Sequence, residues 1–415
     1  MPQQSDGSAD SIAGPSAAKG LLVLALFGPA FLGLQTAVVA PLASSMAFYF
    51  GGGNRGAFIA QLAMTLPAIG TILGGPTTAW VLERLGFRTT VASCAALLAL
   101  SGTAGSYVSS PSLFLAARFL VGLTTVALYT SLVALSGTIF TGATRSRMLS
   151  YQIGLGSLMS TLAMLLSGFV AQQVGWRLSF LIYAIAAFVT LLSLIVKWPP
   201  AQPRPHRESA GIKVAGAGSL LPLLPYYLVT VGVYIVAFMA VAQGSLLLSA
   251  NGISKPSIQS IIIAISTLSF MATATGSAWI EARVTGRWTF FVSLLLMSAG
   301  LMIIGSFPAA TAAMAGSLVL GAGSGLSTTY LFKLVIEVAP PDLRNRAISW
   351  IAPAHNVGQL SNAPIMQALR VMTGIQHTFI ISGAIVAAGA LWALRNGSSR
   401  RAIRRELTAH SSAPH

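Results

Sequence analysis

Three polar side chains stand on one helical face inside the apolar stretch 347–370. His355, Gln359 and Asn362 are spaced i, i+4 and i+7, which places them on one side of an α-helix. A neutral imidazole changes its protonation near physiological pH, so His355 is a candidate for proton transfer, and the two amides can hydrogen-bond a ligand. A proline on either side of the group frees backbone carbonyls. The alternative is a packing histidine with a hydrogen-bonded ring.

A second polar face lies in the apolar stretch 112–136. Arg118, Thr125 and Tyr129 fall at i, i+7 and i+11, again on one side of a helix. A guanidinium binds carboxylates and phosphates well, so Arg118 is a candidate for holding an anionic group of a substrate. No Asp or Glu occurs in the core of any apolar stretch. The other possible partners of Arg118 are therefore backbone carbonyls or water, and snorkelling toward the surface is a further alternative.

Aromatic and amide side chains supply the remaining candidates. Tyr227 and Tyr234 lie close to one face of the stretch 224–248, where they could stack a planar substrate or simply pack. Gln35 interrupts the apolar stretch 20–46. The chain contains no nucleotide-binding loop, no metal-ligand spacing and no nucleophile–base–acid set. We therefore expect no cofactor and no metal, and neither ATP-driven transport nor membrane-enzyme chemistry is favoured.

The elements that must position these residues are membrane-spanning helices. Of the 415 residues, 54% are hydrophobic and only 8% are charged, with a mean hydropathy of +0.77, whereas soluble domains are about one quarter charged. Twelve apolar stretches have the length of a spanning helix, and lipid forces each to satisfy its own backbone hydrogen bonds. We number them as spans 1 to 12: 20–46, 56–81, 89–108, 112–136, 148–171, 178–196, 224–248, 257–280, 289–306, 311–336, 347–370 and 378–395.

The basic residues predict the orientation in the membrane. Nineteen Lys and Arg side chains flank the spans on the side of the chain termini, and four lie on the other side. Because cytoplasmic loops carry the excess of basic residues, we expect both termini in the cytoplasm and the protein in the inner membrane. The net charge of +16 is spread over span ends without interleaved aromatic residues. The lipid bilayer, and not nucleic acid, is thus the expected partner.

A duplication organises the chain. The charged loop after span 2 recurs after span 8 at a spacing of 199 residues, and residues 145–151 recur at 344–350, as does a glycine of span 4 in span 10, at the same spacing. The repeated residues are Trp80 and Trp279, Arg84 and Arg283, Arg88 and Arg287, and Gly122 and Gly321. The acids Glu83 and Glu281 and the glycines Gly86 and Gly286 recur with a shift of one residue. Several independent matches at one spacing indicate two tandem copies of six spans each.

The duplication sets the expected domain boundaries. The one sizeable polar interruption between the copies is rich in proline and mixed charge, which is typical of a solvated linker. The predicted segments are a disordered cytoplasmic N-terminus (1–19), a first six-helix bundle (20–196), a cytoplasmic linker (197–222), a second six-helix bundle (223–395) and a basic cytoplasmic tail (396–415).

The charged loops resemble a signature of the major facilitator superfamily. In that family the loop after span 2 reads glycine, three residues, an acid, arginine, any residue, glycine and a base. Here Ala79 takes the place of the first glycine, and Glu83, Arg84, Gly86 and Arg88 match the rest. The resemblance extends to the Arg118–Gly122 spacing in span 4 and to Gly175-Trp176-Arg177 before span 6, and it covers nearly the whole chain outside both tails.

The resemblance implies an all-α membrane fold of twelve helices in two six-helix bundles related by a pseudo-two-fold axis. It also implies that spans 1, 4, 7 and 10 line a central cavity, which would place Gln35, Arg118 and Tyr234 there. The charged loops would act as a cytoplasmic gate (Glu83, Arg84, Gly86, Arg88, Glu281, Arg283, Gly286 and Arg287). Their charges can cluster to hold neighbouring helix ends together with at most roughly 1 kcal/mol per exposed pair, or they can serve topology alone.

The predicted function is secondary transport by alternating access. Within the family the chain most resembles bacterial drug:proton antiporters, which implies export of a small amphipathic or aromatic compound by a monomer. Many such exporters carry an acid in span 1, where this chain has Gln35. Proton coupling would then run through His355 or through substrate ionisation, or be absent. Uptake or exchange of an organic anion held by Arg118 is the alternative, and a membrane enzyme or a sensor is a remote one.

Overall fold

The fold is helical throughout the part of the chain that is described. The computed structural model describes residues 15–139, 142–196, 198, 220–281, 283, 286–340 and 343–395. Within these residues there are helices and short turns and no strand, as expected for a backbone that must satisfy its own hydrogen bonds in lipid. Most of the predicted N-terminal segment 1–19 and linker 197–222, and all of the tail 396–415, lie outside the described residues.

The first half of the chain forms spans 1 to 6. Its α-helices are Pro15–Ala37, Ala43–Tyr49, Gly53–Thr65, Pro67–Tyr107, Pro111–Ile139, Gly142–Val174 and Ile185–Ile195, with 3₁₀ helices at Ala40–Leu42 and Trp176–Ala184. The helix Pro67–Tyr107 is bent at Gly86, whose φ of 75° and ψ of 171° are not helical and suit a residue without a side chain. Residues 67–85 therefore complete span 2, and residues 87–107 form span 3.

The second half forms spans 7 to 12. Its α-helices are Leu224–Ala237, Met239–Ala250, Pro256–Glu281, Gly286–Ser306, Ala310–Val338, Arg344–Ser349, Ile351–Thr373 and Ile375–Arg395, with a 3₁₀ helix at Leu221–Leu223. Span 7 runs through the first two α-helices of this half, and span 11 through Arg344–Ser349 and Ile351–Thr373.

The lengths and apolarity of these helices match a membrane protein. Ten helical stretches of the described chain are long and apolar enough to cross a bilayer. One of them, Gly53–Tyr107, has 55 residues and contains the bend that separates spans 2 and 3. The helix Ile351–Thr373 is 23 residues long but more polar, and it supplies span 11. The predicted all-helical fold with twelve spans is confirmed.

Spans 1, 2 and 7 are interrupted, and the prolines at the interruptions of spans 1 and 2 free backbone carbonyls. In span 1 the α-helix ends at Ala37 and resumes at Ala43, with Pro41 in the turn between them. In span 2 it breaks between Thr65 and Pro67, and in span 7 at Phe238. A proline lacks the N–H that would bond the carbonyl four residues earlier, so such carbonyls need other partners.

The 199-residue repeat extends to the contacts between helices. The Cα of Gly122 in span 4 lies so close to the carbonyl of Pro67 in span 2 that a side chain would not fit. Gly321 in span 10 approaches the carbonyl of Ser266 in span 8 in the same way. Both residues of the second pair are 199 positions after those of the first. The two copies therefore use the same helix-packing register, and glycine allows it through close backbone approach.

At one equivalent contact the glycine lies on span 2 in the first copy and on span 10, the equivalent of span 4, in the second copy. In the first half Gly74 of span 2 lies against the side chain of Val126 in span 4. In the second half Thr273 is equivalent to Gly74, and its hydroxyl lies against Gly325, the equivalent of Val126. Each copy thus pairs one larger residue with one glycine.

The two halves are joined at one end of the bundle. We call the end at which Pro15 begins and Arg395 ends the terminal face, and the other end the opposite face. All hydrogen bonds between described residues of the two halves lie toward the opposite face. They join Pro41 and Ser44 to Ser245, Ser44 to Gln259, Asn54 to Gln367, Gln61 to Gln243, and Gln172 to Ser257. These bonds hold the two halves together at the opposite face, and we call this joined region the seal.

Candidate functional site

Arg118 is buried at the interruptions of spans 1 and 2. Its side chain is 1% exposed. Its Nε donates to the carbonyl oxygen of Ala63 at 2.8 Å, which has no intrahelical donor because the residue four positions later is Pro67. Its Nη2 donates to the carbonyl oxygen of Gln35, where the helix of span 1 is about to end. Arg118 thus caps carbonyls that the two interruptions have freed.

Tyr183 completes this arrangement. The Nη1 of Arg118 donates to the Tyr183 hydroxyl oxygen at 3.0 Å, and that hydroxyl donates to the carbonyl oxygen of Leu34 at 2.9 Å. Tyr183 is 1% exposed and belongs to the 3₁₀ segment of span 6. Of the partners considered from the sequence, the structure gives Arg118 backbone carbonyls and not a free position toward an anion. The hydrogen-bonded guanidinium thus joins span 4 to spans 1, 2 and 6.

The other candidates of the first half also bond within the protein. The Thr125 hydroxyl donates to the carbonyl of Val121 on its own helix, and the side-chain oxygen of Gln35 accepts from Thr71 at 3.5 Å, the long limit for a hydrogen bond. Thr125 is fully buried, Gln35 is buried and Tyr129 is half-buried. Their hydrogen bonds thus favour a packing role for Thr125 and Gln35.

The second half brings Tyr234 and His355 into direct contact. Their rings stack with centroids 3.6 Å apart and planes 18° apart. Phe332 of span 10 meets the imidazole edge to face at 5.4 Å, and the Tyr234 hydroxyl accepts from Thr328 of span 10 at 3.3 Å. With Gln359, one turn further along span 11, these residues form what we call the imidazole cluster: Tyr234, Thr328, Phe332, His355 and Gln359.

Two buried nitrogen atoms of the imidazole cluster have no hydrogen-bond partner among the described residues. They are Nε2 of His355 and the side-chain nitrogen of Gln359. Both side chains lie on the face of span 11 that the i, i+4 spacing predicts. Leaving a buried polar group unpaired is unfavourable by about 1–3 kcal/mol. Such groups are therefore ready to bind a ligand that offers hydrogen-bonding atoms.

Asn362 and Tyr227 have partners within the protein. The Asn362 amide donates to the carbonyl oxygen of Ile235 at 2.7 Å, beside the interruption of span 7, and accepts from Gln243 at 3.1 Å. The Tyr227 hydroxyl donates to the carbonyl oxygen of Ala347 at 2.9 Å and so ties span 7 to the start of span 11. Neither residue has its polar atoms free in the way that His355 and Gln359 do.

The charged loops repeat one contact in both halves. The guanidinium carbon of Arg84 lies 4.2 Å from the ring centroid of Trp80, and that of Arg283 lies 3.7 Å from the ring centroid of Trp279. Such cation–π contacts at exposed sites contribute about 0.5–1 kcal/mol. Gly86 makes the turn that separates spans 2 and 3. The side chains of Glu281 and Arg287, and the surroundings of Gly286, lie outside the described residues.

In the first loop Glu83 and Arg88 do not form the predicted charge cluster with each other. Arg88 donates to the carbonyl oxygen of Leu194 at 2.9 Å, and Glu83 is exposed and forms no ion pair with any described residue. Leu194 is at the end of the helix Ile185–Ile195, where carbonyls lack intrahelical donors. A freed carbonyl on span 6, and not the acid of the loop, is therefore the partner of Arg88.

Four buried side chains that are not among the candidates from sequence also contribute to the polar interior: Gln61, Tyr183, Gln243 and Arg370. Gln61 and Gln243 are amides inside apolar stretches, so the criterion applied to Gln35 would have found them. Arg370 is one of the four basic residues on the side away from the chain termini, at the end of span 11, yet it is 8% exposed. In the described ranges no group of three His, Cys, Asp or Glu side chains is close enough to hold a metal ion.

Comparison with known sequences shows a match to one family. The profile of the Major Facilitator Superfamily matches residues 25–250 and 226–412, which together cover nearly the whole chain. A curated relative, an uncharacterized MFS-type transporter of Salmonella typhimurium strain LT2, is 27% identical over 123 residues. That alignment spans 30% of this chain and 32% of the relative.

Comparison with solved structures shows the same fold at low sequence identity. The nucleoside transporter NupG superposes with a TM-score of 0.73 at 12% identity, covering 91% of this chain and 98% of that one. The xylose transporter XylE of E. coli in an inward-open conformation gives 0.66 at 16% identity, with coverages of 90% and 94%. A bacterial homolog of the human lysosomal transporter Spinster, inward-facing and unoccupied, gives 0.68 at 14% identity and 96% of both chains.

Proposed function

Because the chain belongs to the major facilitator superfamily and is thus a multi-pass secondary transporter, we propose that it exports a small amphipathic or aromatic compound by alternating access. The observation that carries this proposal is the imidazole cluster, where stacked rings adjoin two unpaired buried nitrogen atoms. Rings favour an aromatic or planar compound, and the unpaired nitrogens favour one with hydrogen-bonding atoms. The combination suits an amphipathic substrate.

The surroundings of Arg118 disfavour transport of an organic anion through that residue. Three of its donors already bond Ala63, Gln35 and Tyr183. An anion would have to displace these bonds and leave the freed carbonyls without a donor. The imidazole cluster includes no Lys or Arg, so a neutral or weakly basic compound is the proposed substrate.

The direction of transport rests on the proposed orientation. Basic residues are concentrated at the terminal face, which supports a cytoplasmic location for that face. The seal lies at the opposite face, so the described conformation would receive a substrate from the cytoplasm. Export would then require the opposite face to open while the terminal face closes.

We propose that His355 couples transport to protons. The acids of the chain, including Glu83 and Glu337, lie outside the span cores or at their ends. Among the groups that contact the His355 ring, Tyr234 is titratable and Phe332 is not. An imidazole that carries a proton in one conformation and loses it in the other would link substrate movement to a pH gradient.

The test is transport by purified protein in liposomes, with and without a pH gradient. A panel should contain planar weak bases, neutral aromatic compounds and organic anions of similar size. We expect gradient-driven movement of compounds of the first two classes and weaker transport by Gln359→Leu. His377→Gln is a matched control because His377 is exposed and, among the described residues, bonds only to Thr373 at the end of the preceding helix. Movement of anions alone would contradict the proposal.

A further inference from the structure

A chain of three amides crosses the seal between the two halves. Gln61 of span 2 meets Gln243 of span 7, which meets Asn362 of span 11. All three side chains are at most 1% exposed. The direction of each hydrogen bond in such a chain depends on the next, because an amide presents a donor on one side and an acceptor on the other.

The interruption of span 7 sets the direction of this chain. The carbonyl of Ile235 can only accept, so the amide nitrogen of Asn362 must point to it, at 2.7 Å. The oxygen of Asn362 then accepts from the nitrogen of Gln243 at 3.1 Å. The remaining oxygen of Gln243 must accept, and it does so from the nitrogen of Gln61 at 2.6 Å.

Arg370 opposes this direction. Its Nη1 lies 2.9 Å from the same Gln61 atom that faces Gln243. A guanidinium only donates, so it requires an oxygen there, whereas the oxygen of Gln243 requires a nitrogen. If the Gln61 amide is reversed, it satisfies Arg370 and the carbonyl of Ala363 at 3.3 Å, but its oxygen then faces the Gln243 oxygen at 2.6 Å. Two unfavourable contacts, with Arg370 and Ala363, are present in the first orientation and one, with Gln243, in the reversed orientation, so neither orientation satisfies all neighbours of Gln61.

No other described residue relieves the conflict. Arg370 also donates to Gln367 of its own helix, and in the described chain no carboxylate forms an ion pair with it. Gln367 in turn donates to the backbone of Asn54 in span 2 at 3.1 Å. The guanidinium is therefore held at the seam between the halves, next to an amide that cannot serve both of its neighbours.

We propose that the Gln61–Gln243–Asn362 chain is a releasable latch of the opposite face and that Arg370 weakens it. This inference rests on the proposed alternating access, because a latch has a role only if the opposite face opens. In the sealed conformation the conflict is present. Once the halves separate, Gln61 leaves both Gln243 and Arg370, and water can satisfy each of them. Arg370 therefore shifts the equilibrium toward opening.

The test measures the distance across the opposite face by pulsed electron paramagnetic resonance. Spin labels are attached through Ser110→Cys and Phe307→Cys, two exposed positions in the loops after spans 3 and 9, with Cys94→Ala as the background. We expect Arg370→Met to raise the ratio of sealed to open molecules about tenfold, since it removes one unsatisfied buried contact. We expect Gln61→Met to lower that ratio, because it removes the bond between the halves.

The double variant separates a latch from a local packing effect. If Arg370 acts through Gln61, Arg370→Met has no sealing effect once Gln61→Met is present. Arg370→Lys retains a donor and is expected to keep the wild-type ratio. Gln367→Met removes the other partner of Arg370 and also the bond to Asn54 between the halves, so it is expected to lower the ratio, in contrast to Arg370→Met.

The latch would be overturned if Arg370→Met left the ratio of sealed to open molecules unchanged or lowered it. It would also be overturned if Arg370→Met raised that ratio equally with and without Gln61→Met. The distance measurement is independent of the transport assay. If the distances change as expected but no compound of the panel is transported, the latch is therefore retained and the proposed export function is rejected.

Discussion

The Nη1 atom of Arg118 lies 3.0 Å from the hydroxyl oxygen of Tyr183, deep inside the first half of the chain. This bond completes a network in which two side chains cap the carbonyls of Leu34, Gln35 and Ala63. Spans 1, 2, 4 and 6 meet here. The network supplies donors to the Gln35 and Ala63 carbonyls where spans 1 and 2 are interrupted.

Loss of this network should destabilise the whole protein. We expect Arg118→Met to lower the free energy of unfolding by about 3 kcal/mol, because it leaves the Gln35 and Ala63 carbonyls without donors, and Tyr183→Phe by about 1 kcal/mol. Thermal unfolding in detergent measures both. Arg84→Met, at an exposed position, is the control. Loss of anion transport alone, with unchanged unfolding, would instead make Arg118 a substrate clamp.

The unpaired nitrogen of Gln359 should contribute to substrate affinity. We expect Gln359→Leu to weaken binding about tenfold, which corresponds to one hydrogen bond in a buried site. Gln359→Glu keeps the shape of the side chain but replaces the NH₂ donor by an oxygen acceptor. Equilibrium binding to protein in detergent measures the effect. Unchanged affinity for every transported compound would place the substrate away from the imidazole cluster.

The pH dependence of transport should depend on His355. We expect His355→Gln to keep substrate binding and to flatten the pH profile of transport, because glutamine forms hydrogen bonds but does not titrate in this range. Initial rates in liposomes are measured from pH 5.5 to 8.5, which extends at least about one pH unit on either side of the unperturbed histidine pKa. His377→Gln should leave the profile as it is. A wild-type profile in His355→Gln would remove this residue from coupling.

The closest approach between spans 2 and 4 should not tolerate a methyl group. We expect Gly122→Ala to lower the thermal unfolding temperature strongly, because the added carbon would overlap the Pro67 backbone, which cannot move aside like a side chain. Gly75→Ala is the matched control: it adds a methyl group to open space on the same pair of helices, and replacing a helical glycine there should be neutral or stabilising. Equal effects of the two variants would contradict the packing register.

The orientation can be tested by labelling in intact cells. In a Cys94→Ala background, Arg84→Cys should react only with membrane-permeant reagents, and Ser110→Cys also with impermeant ones. The reason is that Arg84 lies at the basic terminal face and Ser110 at the opposite face. Reaction of Arg84→Cys with an impermeant reagent from outside would reverse the proposed direction of transport.

The architecture could be predicted from the sequence because lipid leaves few choices. Stretch length, basic flanks and the 199-residue spacing predict spans, orientation and duplication without any contact being known. The equivalent approaches of Gly122 to Pro67 and of Gly321 to Ser266 match that spacing. Helix spacing also placed His355 and Gln359 on one face, and both have unpaired nitrogens there.

The partners of the polar residues were less predictable. The sequence shows a proline at position 67, but it does not show that the carbonyl it frees at Ala63 lies within reach of Arg118 on another span. In the same way, the interruption of span 7 at Phe238 is what directs Asn362 to Ile235. These bonds depend on where two separate spans are interrupted relative to each other, which helix periodicity does not encode.

The exchanged positions of Gly74 and Gly325 limit how the two copies can be recombined. A hybrid that places span 10 beside span 2 would set two glycines together and leave a hole, whereas span 4 beside span 8 would force Val126 against Thr273. The sequences of the two copies have thus diverged, while each copy has kept a complementary pair of helices. In any ancestor with two identical halves, at least one copy therefore carried a residue pair at this crossing that differs from its present one, and single helices are no longer interchangeable.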